Sequence, residues 1–330
     1  MKIHIQTMHS GEIKLSPALP ASLKQLQIPD SICYGASGPF GHVLFQQLEG
    51  ENISLLYHTL YFTDDEQVTY SSHEPAIRLQ IILRNSYYYE SNPPGVGVLH
   101  ERGLNLTYVP SIHTVLRFRK QETYSHVSIY YRKEHLRALM NSFPGLKGFL
   151  TEVDADKAVQ FNEHYSIADA IILSLVDNML DCNHKGPLRK VFLESIAAEI
   201  LLLSLLKITE ASSGAVIPIS EAESRCIYKA KEWILQNLGK SFSLPGLIKE
   251  TGMSLYKLNN GFKGIYGMRV KDFLLEARMA KAHRELSETD MSMNVVAANC
   301  GYSHNSFELA FKRYFGYSAA FVQHSGKKHS

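Results

Sequence analysis

The chain has 330 residues, with a hydrophobic share of 45% and a charged share of 20%. These values exclude a disordered or collagen-like protein and suit two or three globular domains. The formal net charge of +2 hides an asymmetry: residues 241–330 hold 12 basic and 7 acidic side chains, a net of +5, whereas residues 1–240 carry a net of −3. A basic C-terminal end on a slightly acidic body indicates possible contact with nucleic acid.

The cysteines and the apolar segments predict a cytoplasmic protein. Cys33, Cys182, Cys226 and Cys300 are far apart in the sequence, so their spacing predicts no zinc site, and lone thiols suit a reducing compartment. The N-terminus lacks the apolar core of a signal peptide. The most apolar run, residues 196–206, is shorter than the roughly 20 residues of a membrane span. We therefore expect no membrane partner, and a buried or dimer-forming helix at this run.

Residues 1–131 predict β-structure. Short segments rich in β-branched and aromatic residues, several of them alternating with period two, occupy residues 42–45, 53–57, 77–83 and 126–131. Turn-forming clusters such as Ser37-Gly38-Pro39 punctuate this region. Many short strands without helical patterns between them favour an antiparallel barrel or sandwich over a parallel sheet.

Helical patterns replace the strands after residue 131, which makes the predicted fold α+β and multidomain. Residues 132–207 form a helical segment, and its last helix, residues 188–207, is apolar on much of its circumference. We expect this segment to supply a dimer contact. Residues 208–219 contain Ser, Gly and Pro and are the predicted linker between the helical segment and the C-terminal domain. Residues 220–330 are predicted to be all-α, with Ser220 capping the first helix.

Two segments of the basic end share one pattern: a short helix, a glycine, an apolar residue, a serine and a second helix. They span residues 244–263 and 293–313. Gly252 and Gly301 can take the positive φ that ends a helix sharply. Ser254 and Ser303 can cap the helix that follows. The pattern predicts two helix-turn-helix motifs.

The second helix of each copy has an apolar and a polar face. Leu258 with Phe262, and Phe307 with Phe311, are four positions apart and form a buried stripe. Polar side chains on the opposite faces can reach base edges and phosphates in a major groove. The predicted DNA-binding residues are Ser254, Tyr256, Lys257, Asn259, Asn260 and Lys263 in the first copy and Ser303, His304, Asn305, Ser306, Glu308, Lys312 and Arg313 in the second.

A single copy would also suit an ordinary helical hairpin, in which the Phe of the Phe-Lys pair packs in the core and the Lys lies at the solvated edge. Two copies in one basic segment, joined by one long helix, favour DNA binding.

These residues resemble the AraC/XylS family of transcription regulators. The matching positions are Phe262-Lys263-x-x-Tyr266-Gly267, Phe273-Leu274-x-x-x-Arg278-Met279-x-Lys281-Ala282, Ala297-x-x-x-Gly301-Tyr302-Ser303 and Phe307-x-x-x-Phe311-Lys312-Arg313-x-Phe315-Gly316. The resemblance spans residues 220–323 and implies a twin helix-turn-helix domain with recognition helices at 254–266 and 304–315. A helix at 273–286 would join the two motifs rigidly.

The resemblance also implies an architecture for the rest of the chain. Regulators of this family often carry an N-terminal cupin-like β-barrel that binds an effector, followed by helices that dimerise. We therefore expect a cupin-like effector-binding domain at 1–131. The expected partners are double-stranded DNA, a small-molecule effector and a second copy of the chain. RNA polymerase is a further partner that such a regulator could contact.

The second motif departs from the family pattern. The family usually has a basic residue where Leu309 stands, and Glu308 should repel phosphate. We expect the first recognition helix to carry more sequence information than the second.

The sequence shows no catalytic motif and no metal-binding motif. His100, Glu101 and His113 lack the close histidine pair of a metal-binding cupin, and no nucleophile elbow or glycine-rich phosphate loop occurs. The Tyr87-Tyr88-Tyr89 cluster is explained more simply by packing than by a pocket. We expect no enzyme activity, no metal and no cofactor. Two alternatives stay open: a regulator controlled by a protein partner without ligand sensing, and a cupin-type enzyme fused to a DNA-binding module.

Overall fold

The computed structural model describes residues 4–91, 95–162, 165–211, 221–239, 242–315 and 317–326. The chain divides into two compact units, Met1–Ala215 and Val216–Ser330. The first unit combines antiparallel sheets with helices, and the described residues of the second are helical. The expected combination of an N-terminal β-rich part and C-terminal helices is therefore confirmed.

Two antiparallel sheets build the N-terminal unit. The first contains β1 (His4–Thr7), β2 (Gly11–Glu12), β6 (Glu66–Ser72), β8 (Tyr87–Ser91), β9 (Gly95–Leu99) and β11 (Ile112–Phe118), in the order β2-β1-β6-β11-β8-β9. The second contains β3 (Ile32–Gly38), β4 (Gly41–Glu49), β5 (Ile53–Phe62), β7 (Ala76–Arg84), β10 (Gly103–Val109), β12 (Thr123–Tyr131) and β13 (Val159–Gln160), in the order β13-β10-β7-β12-β5-β4-β3. Strand β14 (Ser166–Ile167) also pairs with β10.

Helices cover the second sheet. They are α1 (Ala21–Lys24), α2 (Lys133–Leu139), α3 (Gly145–Asp154), α4 (Ala170–Leu180) and α5 (Gly186–Ala211). Leu55, Leu79 and Ile129 of the second sheet belong to the core that this sheet shares with α2 to α5. Phe45 and Leu60, on the opposite face, belong to the core between the two sheets. The central strands are therefore largely buried on both faces.

The described strands form two open sheets and not one closed barrel. The first sheet ends at β2 and β9 and the second at β13 and β3, and no described strand of one sheet pairs with a strand of the other. Strands β13 and β14 also lie inside residues 132–207, the segment expected to be helical. They form because β10 has an edge on which short chain segments add backbone hydrogen bonds.

Helix α5 extends beyond its predicted end at residue 207 and reaches Ala211. The rest of the predicted linker and the predicted cap Ser220 lie outside the described residues. No helix that the structure describes is both long enough and apolar enough to cross a lipid bilayer.

The C-terminal unit is built around one long helix. Its helices are α6 (Glu221–Gln236), α7 (Leu244–Thr251), α8 (Leu255–Tyr266), α9 (Val270–Glu288), α10 (Met293–Asn299), α11 (His304–Phe315) and α12 (Ala319–Gly326). The first half of α9, with Phe273, packs in a core with α6, α7 and α8. The second half, with Met279 and Ala282, packs with α10, α11 and α12. The predicted joining helix therefore contributes to both cores.

Candidate functional site

The first helix-turn-helix motif consists of α7 and α8. Gly252 ends α7 with φ 68° and ψ 8°, the left-handed conformation that glycine adopts most easily. Ser254 begins α8, and its side-chain oxygen accepts a hydrogen bond from the Lys257 backbone N–H at 3.3 Å. Both features are as predicted from the sequence.

Helix α8 packs very closely against α6. Leu258 and Phe262 are fully buried, as the apolar stripe predicts. Gly261 lies on the same face, where a Cβ atom would come within 2.4 Å of the Ile227 side chain. The glycine therefore permits the close approach of the two helices, and the opposite face of α8 points away from the core.

That opposite face carries the predicted side chains of the first copy. Tyr256 is 76% exposed. Ser254 and Lys263 are also exposed, whereas Asn260 is half-buried. The face is therefore polar, basic and accessible near both ends of α8.

Two predicted residues of α8 have partners inside the unit. The Asn259 side-chain oxygen accepts a hydrogen bond from the Val270 N–H at 3.2 Å, at the start of α9. The Lys257 ammonium lies 3.3 Å from a carboxylate oxygen of Glu223 on α6. Sequence periodicity did not foresee these contacts, because both partners are distant in the chain.

The second motif consists of α10 and α11. Gly301 has φ 74°, as its predicted turn requires. The Ser303 carbonyl accepts a hydrogen bond from the Phe307 N–H at 2.9 Å, which begins α11. The Ser303 hydroxyl contacts the hydroxyl of Ser306, so these two predicted residues pair with each other.

The outer face of α11 is polar at both ends and apolar in the middle. His304 and Asn305 are exposed in its first turn, as are Lys312 and Arg313 in its last turns. Between them Leu309 is 75% exposed. Glu308 is half-buried, and Gly316 of the matching pattern lies outside the described residues.

The structure also gives a role to three signature residues that sequence reasoning left without one. The Arg278 Nε donates a hydrogen bond to the Leu238 carbonyl at 3.1 Å, and its guanidinium lies 5.2 Å from the centre of the Tyr302 ring. The Lys281 ammonium donates to the Asn299 carbonyl at 2.9 Å. These contacts hold α9 against the turn of the second motif.

A cavity of about 140 Å³ lies between the two sheets of the N-terminal unit. The first sheet contributes Tyr70, Tyr87 and Tyr89 to its lining, and the second contributes His58 and Arg78 among others. Two of the three clustered tyrosines therefore line a pocket, contrary to the simpler packing interpretation. Within the described ranges, no group of three or more His, Cys, Asp or Glu side chains could hold a metal ion.

Two buried histidines lie side by side in this cavity. The rings of His58 and His126 are 4.1 Å apart between centroids, and the Tyr87 hydroxyl lies 3.0 Å from His126 Nδ1. Burial, with a smaller contribution from the Arg78 charge, lowers the pKa of His126 to about 3. Burial and the neighbouring His126 and Arg78 also lower the pKa of His58 well below its usual value. Both rings are therefore neutral near pH 7.

Two family models match the chain. The "Regulatory protein PchR N-terminal domain" matches residues 40–218, and the "Helix-turn-helix domain" matches residues 247–324.

Individual relatives match over shorter stretches. Regulatory protein PchR of Pseudomonas aeruginosa is 30% identical over 125 residues, which cover 36% of this chain and 41% of that protein. The HTH-type transcriptional activator AarP of Providencia stuartii is 28% identical over 100 residues, 30% of this chain and 74% of that protein. A crystal structure of an AraC-type transcriptional regulator from Chromobacterium violaceum is 19% identical, with a TM-score of 0.31; the match covers 34% of this chain and 100% of that chain.

The chain thus spans only about two fifths of the length of PchR. The PchR-type model, however, covers more than half of this chain, and the second model covers both helix-turn-helix motifs. The chain belongs to the AraC family of transcriptional regulators, in the group with a PchR-type N-terminal domain.

Proposed function

We propose that this protein is a transcription regulator that binds double-stranded DNA sequence-specifically through α8 and α11. In this proposal a small-molecule effector, bound in the N-terminal unit, controls the binding. The observation that supports DNA binding most directly is the pair of helix-turn-helix motifs, whose second helices bury one face and expose polar and basic side chains on the other. The major groove of B-DNA is wide enough to admit an α-helix.

On α8 we assign different roles to the predicted residues. The Asn260 amide can form paired hydrogen bonds with a base edge, and Lys263 suits a phosphate contact. Lys257 must leave Glu223 to reach DNA, which costs little because the ion pair is exposed. Asn259 positions the start of α9 through its bond to Val270.

On α11 the same division of roles applies. Asn305 and its neighbours in the first turn can contact base edges, and Lys312 and Arg313 suit phosphates. Leu309 can contact the methyl group of thymine, although Glu308 beside it repels phosphate. Fewer hydrogen-bonding groups therefore face the DNA in the middle of α11, which supports a smaller share of sequence reading by the second motif.

The cavity supports the effector part of the proposal. It lies between the two sheets of the N-terminal unit, and its volume of about 140 Å³ is similar to that of engineered apolar cavities that bind benzene. An effector that binds one arrangement of the protein more tightly than another would shift the population towards it.

The outer face of α5 supports a homodimer. Leu188, Val191, Leu202 and Leu206 are spaced for one side of this helix and are 60%, 61%, 42% and 45% exposed. A second copy of the chain would remove these four apolar side chains from water. Two linked DNA contacts would then act at a high effective concentration.

The test begins with selection of bound sites from random-sequence DNA, followed by affinity measurements on the selected site at several salt concentrations. Lys263→Ala and Lys312→Ala should each weaken binding at all sites alike and reduce the salt slope by about 1. Lys147→Ala, an exposed lysine of the N-terminal unit, is the matched charge control and should change neither. Absence of DNA binding at low salt would contradict the proposal. DNA binding that responds to no small molecule would favour control by a protein partner.

A further inference from the structure

The inner face of the second sheet is unusually polar for a surface that faces a core. Strand β7 alternates between apolar residues directed towards the helices, such as Leu79, and the polar residues Arg78 and Gln80, which line the cavity. Strand register extends the polar face across the sheet: Arg78 lies opposite Tyr130 of β12 and Thr107 of β10. A side chain of this face is buried between two sheets and must find partners there.

Several buried polar atoms that border the cavity, from either sheet, have no hydrogen-bond partner among the described residues. The buried atoms without a hydrogen bond include both ring nitrogens of His58, the Tyr70 hydroxyl and Arg78 Nε. His58 is 7% exposed and Tyr70 is 8% exposed, and both line the cavity. Because buried polar groups are normally paired, these unpaired donors and acceptors indicate a polar ligand group at this end of the cavity.

The charge of the described lining has one sign. Arg78 is its charged member, and no described Asp or Glu lines the cavity. His58 and His126 are neutral near pH 7 for the reasons given above. Two acidic side chains act on lining residues from outside the lining: Glu74 acts on Tyr130, and Asp156 accepts a hydrogen bond from the Tyr108 hydroxyl.

Within the lining, the Arg78 side chain forms a hydrogen bond with the Tyr130 hydroxyl. Arg78 is partly buried, and a neutral hydroxyl does not compensate its positive charge, whereas a carboxylate would accept paired hydrogen bonds from the guanidinium. The rest of the lining is aromatic or aliphatic, with Tyr87, Tyr165 and Leu99 among its members.

We propose that the cavity binds a small organic acid, with its carboxylate on Arg78 and an apolar body of about the size of one ring between the tyrosines. The proposal rests on the proposed function for the role of the cavity as the effector site. Neutral molecules of the same shape leave the guanidinium charge unpaired and bind less tightly. The hydroxyl of Tyr70 and a ring nitrogen of His58 supply further hydrogen bonds to the acid.

The test measures binding of benzoate and of its neutral analogue benzamide to the full-length protein by calorimetry. A charge-assisted hydrogen bond predicts that benzoate binds about tenfold more tightly than benzamide. Arg78→Met, which keeps the apolar stem, should remove that preference and leave benzamide binding within about twofold. Arg84→Met on the exposed end of the same strand is the matched control and should keep the preference.

Arg78→Lys retains the charge and serves as the second variant. It should keep a measurable preference for benzoate, with thermal melting of all variants reporting whether the N-terminal unit folds. Equal binding of the two compounds, no binding of either at millimolar concentration, or an unchanged preference in Arg78→Met would each overturn the proposal. DNA affinity is measured on the same preparations. If the unmodified protein binds DNA but does not prefer benzoate, the carboxylate site alone is rejected, whereas missing DNA binding in the unmodified protein rejects the proposed function.

Discussion

Acidification should destabilise the N-terminal unit, because His126 is buried there in its neutral form. Its pKa in the folded protein is about 3, whereas histidine in an unfolded chain has a value of about 6.5. Between these two values the unfolded chain binds a proton that the folded chain excludes. Stability therefore falls as the pH drops from about 6.5 towards 3.

The size of the effect follows from the distance of the pH from the unfolded value. Each pH unit below the unfolded pKa corresponds to about 1.4 kcal/mol. His126 alone should therefore lower the free energy of unfolding by about 2 kcal/mol at pH 5 relative to pH 7. His58 acts in the same direction, because burial also lowers its pKa. The charged and titratable neighbours of His126 are His58, Arg78 and Tyr87, and none of them is an acid that would stabilise an imidazolium.

Urea unfolding at pH 7 and pH 5 tests this prediction in the full chain. Trp233, the single tryptophan, reports on the C-terminal unit through its fluorescence, while the β-sheet band of circular dichroism follows the N-terminal unit. His126→Gln should reduce the pH dependence of the N-terminal transition by about 2 kcal/mol. His113→Gln, at an exposed site on β11, is the control. An N-terminal transition that is equally stable at both pH values would refute the reasoning.

Three further predictions concern packing, specificity and assembly. Gly261→Ala places a methyl group 2.4 Å from Ile227, so its overpacking cost of about 1–3 kcal/mol should exceed the roughly 1 kcal/mol gained in helix propensity. The unfolding transition reported by Trp233 should therefore occur at a lower temperature. Ile227→Ala in the same chain should reduce the destabilisation caused by Gly261→Ala, so that the two changes are not additive. An unchanged melting temperature in Gly261→Ala would contradict the close contact. Asn260→Ala should relax specificity by about 1–3 kcal/mol at one or two base pairs in competition assays, and an unaltered preference would exclude base reading by this residue. Leu202→Glu should give a folded monomer in sedimentation, whereas a wild-type monomer at tens of micromolar would refute the dimer.

The C-terminal unit was predictable because its signals are local. Glycine at a helix end, serine at the next helix start and apolar residues four positions apart each act within a few residues, and Gly252, Ser254 and Phe262 behave accordingly. The contacts of Lys257 and Asn259 were not predictable, because they depend on how α6 and α9 pack against α8.

The N-terminal unit shows where sequence patterns lose information. Alternation along residues 77–83 correctly predicts a strand, and such alternation usually means that the polar face meets solvent. Here the first sheet covers that face of the second sheet, so Arg78 and Gln80 line a cavity instead. The pairing of strands that are distant in the chain decides this outcome. It also decides that the described strands form two open sheets and that Tyr87 and Tyr89 face a pocket.

The central claim, that both recognition helices engage one DNA duplex, is tested most directly by hydroxyl-radical footprinting on a selected site. Helix α9 joins the two motifs with 19 residues, about 28 Å of helix, and successive major-groove faces of B-DNA lie roughly 34 Å apart. We predict two protected segments about 10 base pairs apart on one face of the duplex for each bound chain. A single protected segment per chain, or no protection at low salt, would contradict the account.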